Sequence, residues 1–424
     1  MLSLPGDVGG LEVPDGDRPL RFATAGPTLA PDPAVLAEAV RLLDGAEQVT
    51  ILAGRGAIAA REPLLQLAGR LAAPMVLTLK AKEGLEDDNP FEVGQSGLIG
   101  NPASKVALDG ADVLLMLGTD FPYPEWLPAG ATTIQVDHDG THIGRRTPVD
   151  LAIVADAAAT TAALRDQLAP KADRSHLDAA RERYDAWARQ QRALVDPDSE
   201  ESSRTGRVLA KIRSVGENPS DAIRPEAVAA AIDEIAAHDA VFTSDTGMST
   251  VWLSRFIRMR GSRRLVGSYN LGSMANAMPH ALGAQALDRT RQVVALCGDG
   301  GLTMLLGDLL TAVSESLPVR IVVFDNSRLG MVKLEQEQVG LPEHGTTLHN
   351  PDLAAVARAM GMEAWRIEDD DDLDPLMRQA FSVDGPVLLD VVTNPDEVAL
   401  PPGTKLDQAW GFAIAKVQET IISR

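Results

Sequence analysis

Val293-Val294-Ala295-Leu296-Cys297-Gly298-Asp299-Gly300-Gly301 is the stretch that decides the fold. An apolar run of strand length ends in a glycine-rich turn holding one acid, and a helical pattern follows from Leu302 to Leu310. That is the reading for a buried parallel strand feeding a helix. The next apolar run, Val319 to Phe324, ends in Asp325-Asn326-Ser327-Arg328-Leu329-Gly330. Two neighbouring parallel strands would bring Asp299 and Asn326 to one carboxyl edge, where open α/β sheets bind ligands. Glycines let backbone approach a phosphate closely, and a helix N-terminus offers free N–H groups and the positive end of its dipole. A carboxylate, an amide oxygen and a backbone carbonyl are hard oxygen ligands suited to Mg²⁺, which also takes diphosphate oxygens. A lone Gly-Asp-Gly is most often a plain turn; the compound pattern of strand, turn, helix, strand and Asn is far more specific. The segment has neither the Gly-Lys-Ser/Thr of a Walker loop nor the Rossmann glycine order.

Working outward, a second α/β pattern runs from Arg224. Its other strand candidates are Ala240 to Thr243, Ala364 to Ile367 and Val387 to Val392, with helices expected at 225–237, 303–315, 351–360 and 373–381. An earlier α/β pattern has a helix over Pro33 to Leu43 and one near 61–72. Its strands fall at Val49 to Ala53, Met75 to Leu79, Val113 to Leu117, Thr133 to Val136 and Leu151 to Val154. The fold class is therefore α/β: two doubly wound parallel-sheet domains joined by a helical linker. The expected divisions are a linker over 1–33, a first domain over 34–170, and a helical connection with a mobile loop over 171–223. A second domain follows over 224–400, and a C-terminal helix over 401–424. No repeat of 20 to 50 residues is visible.

The chain has 424 residues and a formal net charge of −21, so nucleic acid and anionic lipid are excluded as main partners. A bound phosphate would need local help from amides or a metal against that field. Cys297 is the one cysteine, which leaves no intrachain disulfide and no cysteine-rich zinc site. The first residues lack the basic and apolar regions of a signal peptide, and no apolar run approaches the ~20 residues of a membrane span. A cytoplasmic protein is expected, with at most peripheral contact at the inner membrane face. Leu406 to Ile422 reads as an amphipathic helix with Trp410, Ile414, Val417 and Ile421 on one side.

Gly298-Asp299-Gly300 through Asn326 resembles the signature of thiamine-diphosphate enzymes. Within that family the chain resembles the bacterial pyruvate oxidases (quinone-dependent pyruvate dehydrogenases) at Gly267 to Pro279, Thr346 to Asn350, Asp384 to Asp390, Gly97 to Gly100, Gly118 to Tyr123 and Ala399 to Pro402. Residues 195–222 look like an insertion. The resemblance implies that Asp299, Asn326 and the Arg328 carbonyl ligate Mg²⁺. Gly300, Gly301, Ser327, Arg328, Leu329, Gly330, Met331 and Val332 would line the diphosphate. Gly272, Ser273 and Met274 would meet the aminopyrimidine and thiazolium region, with Met274 propping the cofactor into its bent form; plain core packing is the alternative. The first domain is similar to the family's FAD-binding middle domain, and the implied flavin contacts are Ser96, Gly97, Leu98, Ile99, Thr119, Asp120, Phe121, Pro122, Tyr123 and Asp137. Gly54-Arg55-Gly56 could also approach a phosphate.

The implied activity is decarboxylation of pyruvate or a similar 2-oxo acid, with electrons passing to FAD and then to a quinone or another acceptor. The alternatives are an acetolactate-synthase-like carboligase and a non-catalytic cofactor-binding subunit. The resemblance places the activating glutamate in a separate N-terminal domain, so no residue here is assigned that role. A truncated product or half of a split enzyme is expected, working as a homo-oligomer or with a separate chain that carries the pyrimidine-binding domain. Among other candidates, Asp245 is either a cofactor contact or a helix cap, His344 and His349 flank an exposed loop, and Glu368 to Asp372 is a solvated turn.

Overall fold

Asp32 caps the first helix of the first domain. Its side chain accepts from the N–H groups of Ala34 and Val35 at the start of α1 (Pro33–Gly45), a cap worth about 1 kcal/mol. The computed structural model describes residues 4–12, 28–195 and 222–396. The expected C-terminal helix and the loop near 195–220 lie outside the described residues.

The first sheet contains β1 (Val49–Ala53), β2 (Met75–Leu77), β3 (Glu92–Gln95), β4 (Val113–Leu117), β5 (Thr132–Asp137) and β6 (Leu151–Val154). All pairs are parallel and the order is β3-β2-β1-β4-β5-β6. Alternate strand residues serve opposite faces. Ile51, Leu77, Leu115 and Ile134 pack under α1, α2 (Arg61–Leu71) and α5 (Ala157–Gln167). Leu52, Val76, Leu114 and Met116 pack under α4 (Pro102–Asp109) and α6 (Ser175–Val195). The expected helical connection is thus partly a layer of the first domain. Leu177, Ala180 and Tyr184 give α6 a buried stripe at helical spacing. A short irregular helix, α3 (Leu79–Leu85), follows β2 and breaks at Glu83 and Gly84.

The second sheet contains β7 (Val241–Ser244), β8 (Arg264–Gly267), β9 (Val293–Gly298), β10 (Arg320–Asp325), β11 (Glu363–Ile367) and β12 (Val387–Val392). It too is all parallel, in the order β11-β12-β10-β9-β7-β8. Its helices are α7 (Pro225–Ile235), α8 (Met248–Phe256), α9 (Ala277–Leu287), α10 (Asp299–Met304), α11 (Leu309–Ser314), α12 (Gly330–Gln338), α13 (Leu353–Ala359) and α14 (Asp370–Phe381). The helix expected over 303–315 is instead two short helices separated by a tight turn at Leu306–Asp308. Leu305, whose backbone (φ −126°, ψ 29°) leaves the helical region, ends α10 after six residues. β3, β8, α8, α9 and α12 have no counterpart in the sequence reading. β3 and β8 are edge strands of only four residues, and α9 is apolar on most of its surface, so none of the three gives a clear period. The acidic run at 368–372 is not a free turn: Asp369 caps α14, and Asp370 to Asp372 fill its first turn, where the helix dipole favours negative charge. Among the described residues no helix is long and apolar enough to cross a membrane.

Candidate functional site

The second sheet turns back at its far edge, where β12 inserts between β10 and β11; the main switch of direction falls between β1 and β4 in the first sheet and between β7 and β9 in the second. Ligands of such sheets sit outside the carboxyl ends of the strands at these points. Both points border a cavity.

The second-sheet cleft is narrow, about 90 Å³. Met274, Asp299, Gly300, Gly301, Asn326, Arg328, Leu329, Gly330, Met331 and Val332 line it. Ser327 is not in the lining, but its left-handed backbone (φ 52°) turns the loop after β10. Gly272 lines the other cleft and Ser273 lines neither. Met274 contacts the space a Cβ on Gly300 would occupy, together with Leu329 and Leu348, so it stands as a wall of the cleft. Gly301 admits no side chain, because a Cβ there would collide with the Asp245 carboxylate. Asp245 does not cap α8, the helix that follows it in sequence, but reaches the first N–H of α9. One oxygen accepts from the Ala277 N–H at 2.9 Å and the other from the Gly298 N–H at 3.2 Å, which ties the loop after β7 to β9 and to α9. His344 and His349 are exposed.

Strand alternation builds the electrostatics. Cys297, Val323, Asp390 and Arg366 are register partners across β9, β10, β12 and β11. Asp299 and Asp325 follow two residues beyond Cys297 and Val323, so all the charged groups share one sheet face. Asn350 Nδ2 donates to Asp299 Oδ2 and to Asp325 Oδ1, each at 2.7 Å. Arg366 reaches Asp325 Oδ2 at 3.3 Å and Asp390 Oδ2 at 2.5 Å. The ladder sets three buried carboxylates against one guanidinium. Burial pushes the Asp299 carboxyl up to about 7, against hydrogen bonds from Asn350 and the Gly300 N–H, and the Asp325 carboxylate adds to the rise. Burial likewise raises Asp390 to about 6, opposed by Arg366. With all three carboxylates ionised the ladder would hold two negative charges in excess, which a divalent cation at Asp299 would balance. Among the described residues no cluster of three His, Cys, Asp or Glu side chains forms a metal site. The set at this cleft is different, with one carboxylate, the Asn326 amide oxygen and backbone carbonyls leaving positions for phosphate oxygens. Asn326 Oδ1 already accepts from the Arg328 N–H at 3.0 Å, which fixes its direction. The residues present fit a cation and a diphosphate.

The second cleft is wide, about 820 Å³, and lies between the two domains. Ser96, Leu98, Ile99, Thr119, Asp120, Phe121, Pro122, Tyr123 and Asp137 line it, facing Thr246, Gly247, Thr250, Tyr269, Asn270 and Met331 of the second domain. Gly97 is not in the lining; its backbone (φ 91°) lies against Phe121 and Tyr123. The loops after β1 and β4 meet through glycine, since a Cβ on Gly56 would lie 2.8 Å from Gly118 Cα. Arg55 and Lys80 bring positive charge to the lining, and burial and then Arg55 lower the Lys80 ammonium. Lys80, Thr78 and Tyr269 were not foreseen, as they stand after an unremarkable strand and in a loop. Thr78 Oγ1, Ser96 Oγ and Thr246 Oγ1 are buried beside this cleft without a hydrogen-bond partner, as expected of a cleft built for a polar ligand. Thr246, Gly247 and Met331 line both clefts.

The comparisons with known proteins agree with this layout. Residues 36–164 match the central domain of thiamine pyrophosphate enzymes, and residues 245–391 match their C-terminal, TPP-binding domain. The chain is 34% identical over 385 residues to YdaP of Bacillus subtilis (strain 168), a protein designated thiamine pyrophosphate-containing, with 91% of this chain and 63% of that protein covered. It is 30% identical over 389 residues to the pyruvate oxidase of Lactiplantibacillus plantarum, covering 90% and 61%. It is also 30% identical over 405 residues to an acetolactate synthase of Mycobacterium bovis, covering 90% and 62%. The chain thus spans less than two thirds of the length of each of these relatives.

Proposed function

Because the chain belongs to the thiamine pyrophosphate enzyme family, of which it carries a central and a C-terminal domain, we propose that it serves oxidative decarboxylation of pyruvate or a similar 2-oxo acid. In this reading Mg²⁺ and thiamine diphosphate occupy the narrow cleft and FAD the wide one. The shared wall carries the reading: Thr246, Gly247 and Met331 border both clefts, so a redox cofactor in one would sit beside the reacting carbon in the other. Thiamine diphosphate, when bound, supplies the electron sink for loss of CO₂. The chain's own residues do the rest. Asp299, Asn326 and the Arg328 carbonyl hold the cation, the Gly300-Gly301 backbone leaves room for the diphosphate, and Met274 walls the ring end. Gly272 and Ser273 stand in the loop leading to it. Arg55 and Lys80 offer charge to the dinucleotide phosphates, and Asp137 at the end of β5 offers a carboxylate to its ribose or adenine. Electrons would leave to a quinone or another acceptor, and the working enzyme would be an oligomer in the cytoplasm. No described residue is assigned the activation of the thiazolium carbon.

Asp299→Ala is expected to abolish Mg²⁺-dependent thiamine-diphosphate binding while flavin binding and folding persist; equal affinity in variant and parent would overturn the site. The acetolactate-synthase relative at equal identity favours a second reading, a carboligase. Product analysis with pyruvate, Mg²⁺, both cofactors and a dye acceptor separates the two. Acetate with dye reduction supports the oxidase, and acetolactate without it supports the carboligase.

A further inference from the structure

Asn350 lies in the loop before α13, half-buried and outside the lining of the narrow cleft. Its carboxamide nitrogen has two protons and two acceptors, the Asp299 and Asp325 carboxylates, both at 2.7 Å. Without a donor between them, two buried carboxylates this close would repel and turn apart. The far end of the contact is anchored. Asp325 meets Arg366, and Arg366 meets Asp390, its register partner on β12. Asp390 also accepts from the Leu353 N–H at 3.2 Å, the first residue of α13. The loop bearing Asn350 is therefore fastened to the same ladder that it orients. On the near side, Asp299 Oδ1 accepts from the Gly300 N–H at 2.8 Å, so each oxygen of this carboxylate has one fixed donor and a remaining lone pair.

We propose that Asn350, braced by Asp325 and Arg366, is a positioning residue that fixes the orientation of the Asp299 carboxylate and thereby sets the divalent-cation affinity of the site. This rests on the reading of Asp299 as a cation ligand. Hydrogen-bond partners of metal ligands are typically worth 10–100-fold in metal affinity.

The test is a Mn²⁺ titration of the full chain at saturating thiamine diphosphate. Free Mn²⁺ is read by its electron paramagnetic resonance, and thermal unfolding of each variant serves as a check on the fold. Asn350→Ala should weaken Mn²⁺ binding roughly 10–100-fold without unfolding the chain. Arg366→Met should weaken it in the same direction, and Arg366→Lys should restore most of the loss. A purely electrostatic role for Arg366 gives the opposite sign, because deleting a positive charge would tighten cation binding. Parent-like affinity in Asn350→Ala, or tighter binding in Arg366→Met, overturns the proposal. Should Asn350→Ala fail to fold, the two Arg366 variants decide. Asp299→Ala in the same titration separates the two levels. If it too binds Mn²⁺ like the parent, the cation site itself is wrong; if it alone loses binding, only the positioning role fails.

Discussion

At the switch point of the first sheet the loops after β1 and β4 touch glycine to glycine, and the cleft beside them opens to about 820 Å³. At the switch point of the second, the buried Asp245 carboxylate ties the loop after β7 to the end of β9, and the cleft closes to about 90 Å³. The two sheets have the same strand number, and each switches direction at a central strand pair, β1/β4 and β7/β9. What separates them is the residue class placed just past the switch strands. Bare backbone leaves room for a large ligand held by scattered polar atoms, whereas acids on a shared face make a small, highly charged seat. Topology fixes where a ligand can go; the first few residues after each strand fix which ligand.

That contrast breaks most readily at its glycines. Gly118 has a left-handed backbone (φ 59°), and a Cβ there would lie 2.5 Å from Gly56 Cα. Gly118→Ala combines backbone strain with overpacking, a cost of roughly 2–5 kcal/mol. Denaturant unfolding should show it, and flavin binding should be lost before thiamine-diphosphate binding. Gly301→Ala should do the reverse. Its Cβ would drive into Asp245, so cation and diphosphate binding should fall while flavin content holds. Loss of both ligands in both variants would mean that the two clefts do not respond separately.

The same contrast explains what could be read in advance. The central strands are short apolar runs, and β1, β4, β6 and β12 start and stop where the sequence reading put them. Asp299 and Asn326 stand out because an acid and an amide follow such runs. Asn350 and Arg366 do not, since their meaning depends on register between β10, β12 and β11, which one strand alone cannot reveal. Asp390 was open to reading: a single acid inside Val387–Val392 has to be buried, and a buried acid needs a partner. Met274 as a wall of the cleft was equally undetermined, because its chemistry suits core packing as well.

The seam between the domains supplies a second kind of test, of intermediate size. Glu92 on β3 is buried, Oε1 has no partner, and Glu86, Lys82, Arg258 and Tyr184 surround it. Burial, then the Glu86 carboxylate, pushes its carboxyl up to about 7 from 4.5. Between those values the folded chain keeps a proton that the unfolded chain has released, so stability falls as pH rises through this window and levels off above it. Glu92→Gln should remove that slope and raise the melting temperature by a few degrees at about pH 8, with little change at about pH 4. An unchanged slope would place the pH dependence elsewhere in the seam.

The smallest effects come from the seam's outer contacts, and their ranking is itself informative. Glu83, at the break in α3, reaches across to the second domain's edge strand β8. One oxygen accepts from the Leu265 N–H at 2.7 Å and the other pairs with Arg264 at 2.5 Å. The two contacts look alike in distance and differ in solvent. The Arg264 side chain is 53% exposed, so screening and side-chain entropy leave its pairing worth at most about 1 kcal/mol. The Leu265 N–H belongs to an edge strand and would otherwise lack an acceptor, and hydrogen bonds to charged groups contribute about 1.5–3 kcal/mol. Glu83→Ala should therefore destabilise the chain more than Arg264→Met in urea unfolding. High salt should erase the effect of Arg264→Met while leaving most of that of Glu83→Ala. Equal, salt-sensitive losses in the two variants would show that the domains are held at this edge by surface charge alone, and that the spacing of the two clefts is free to change.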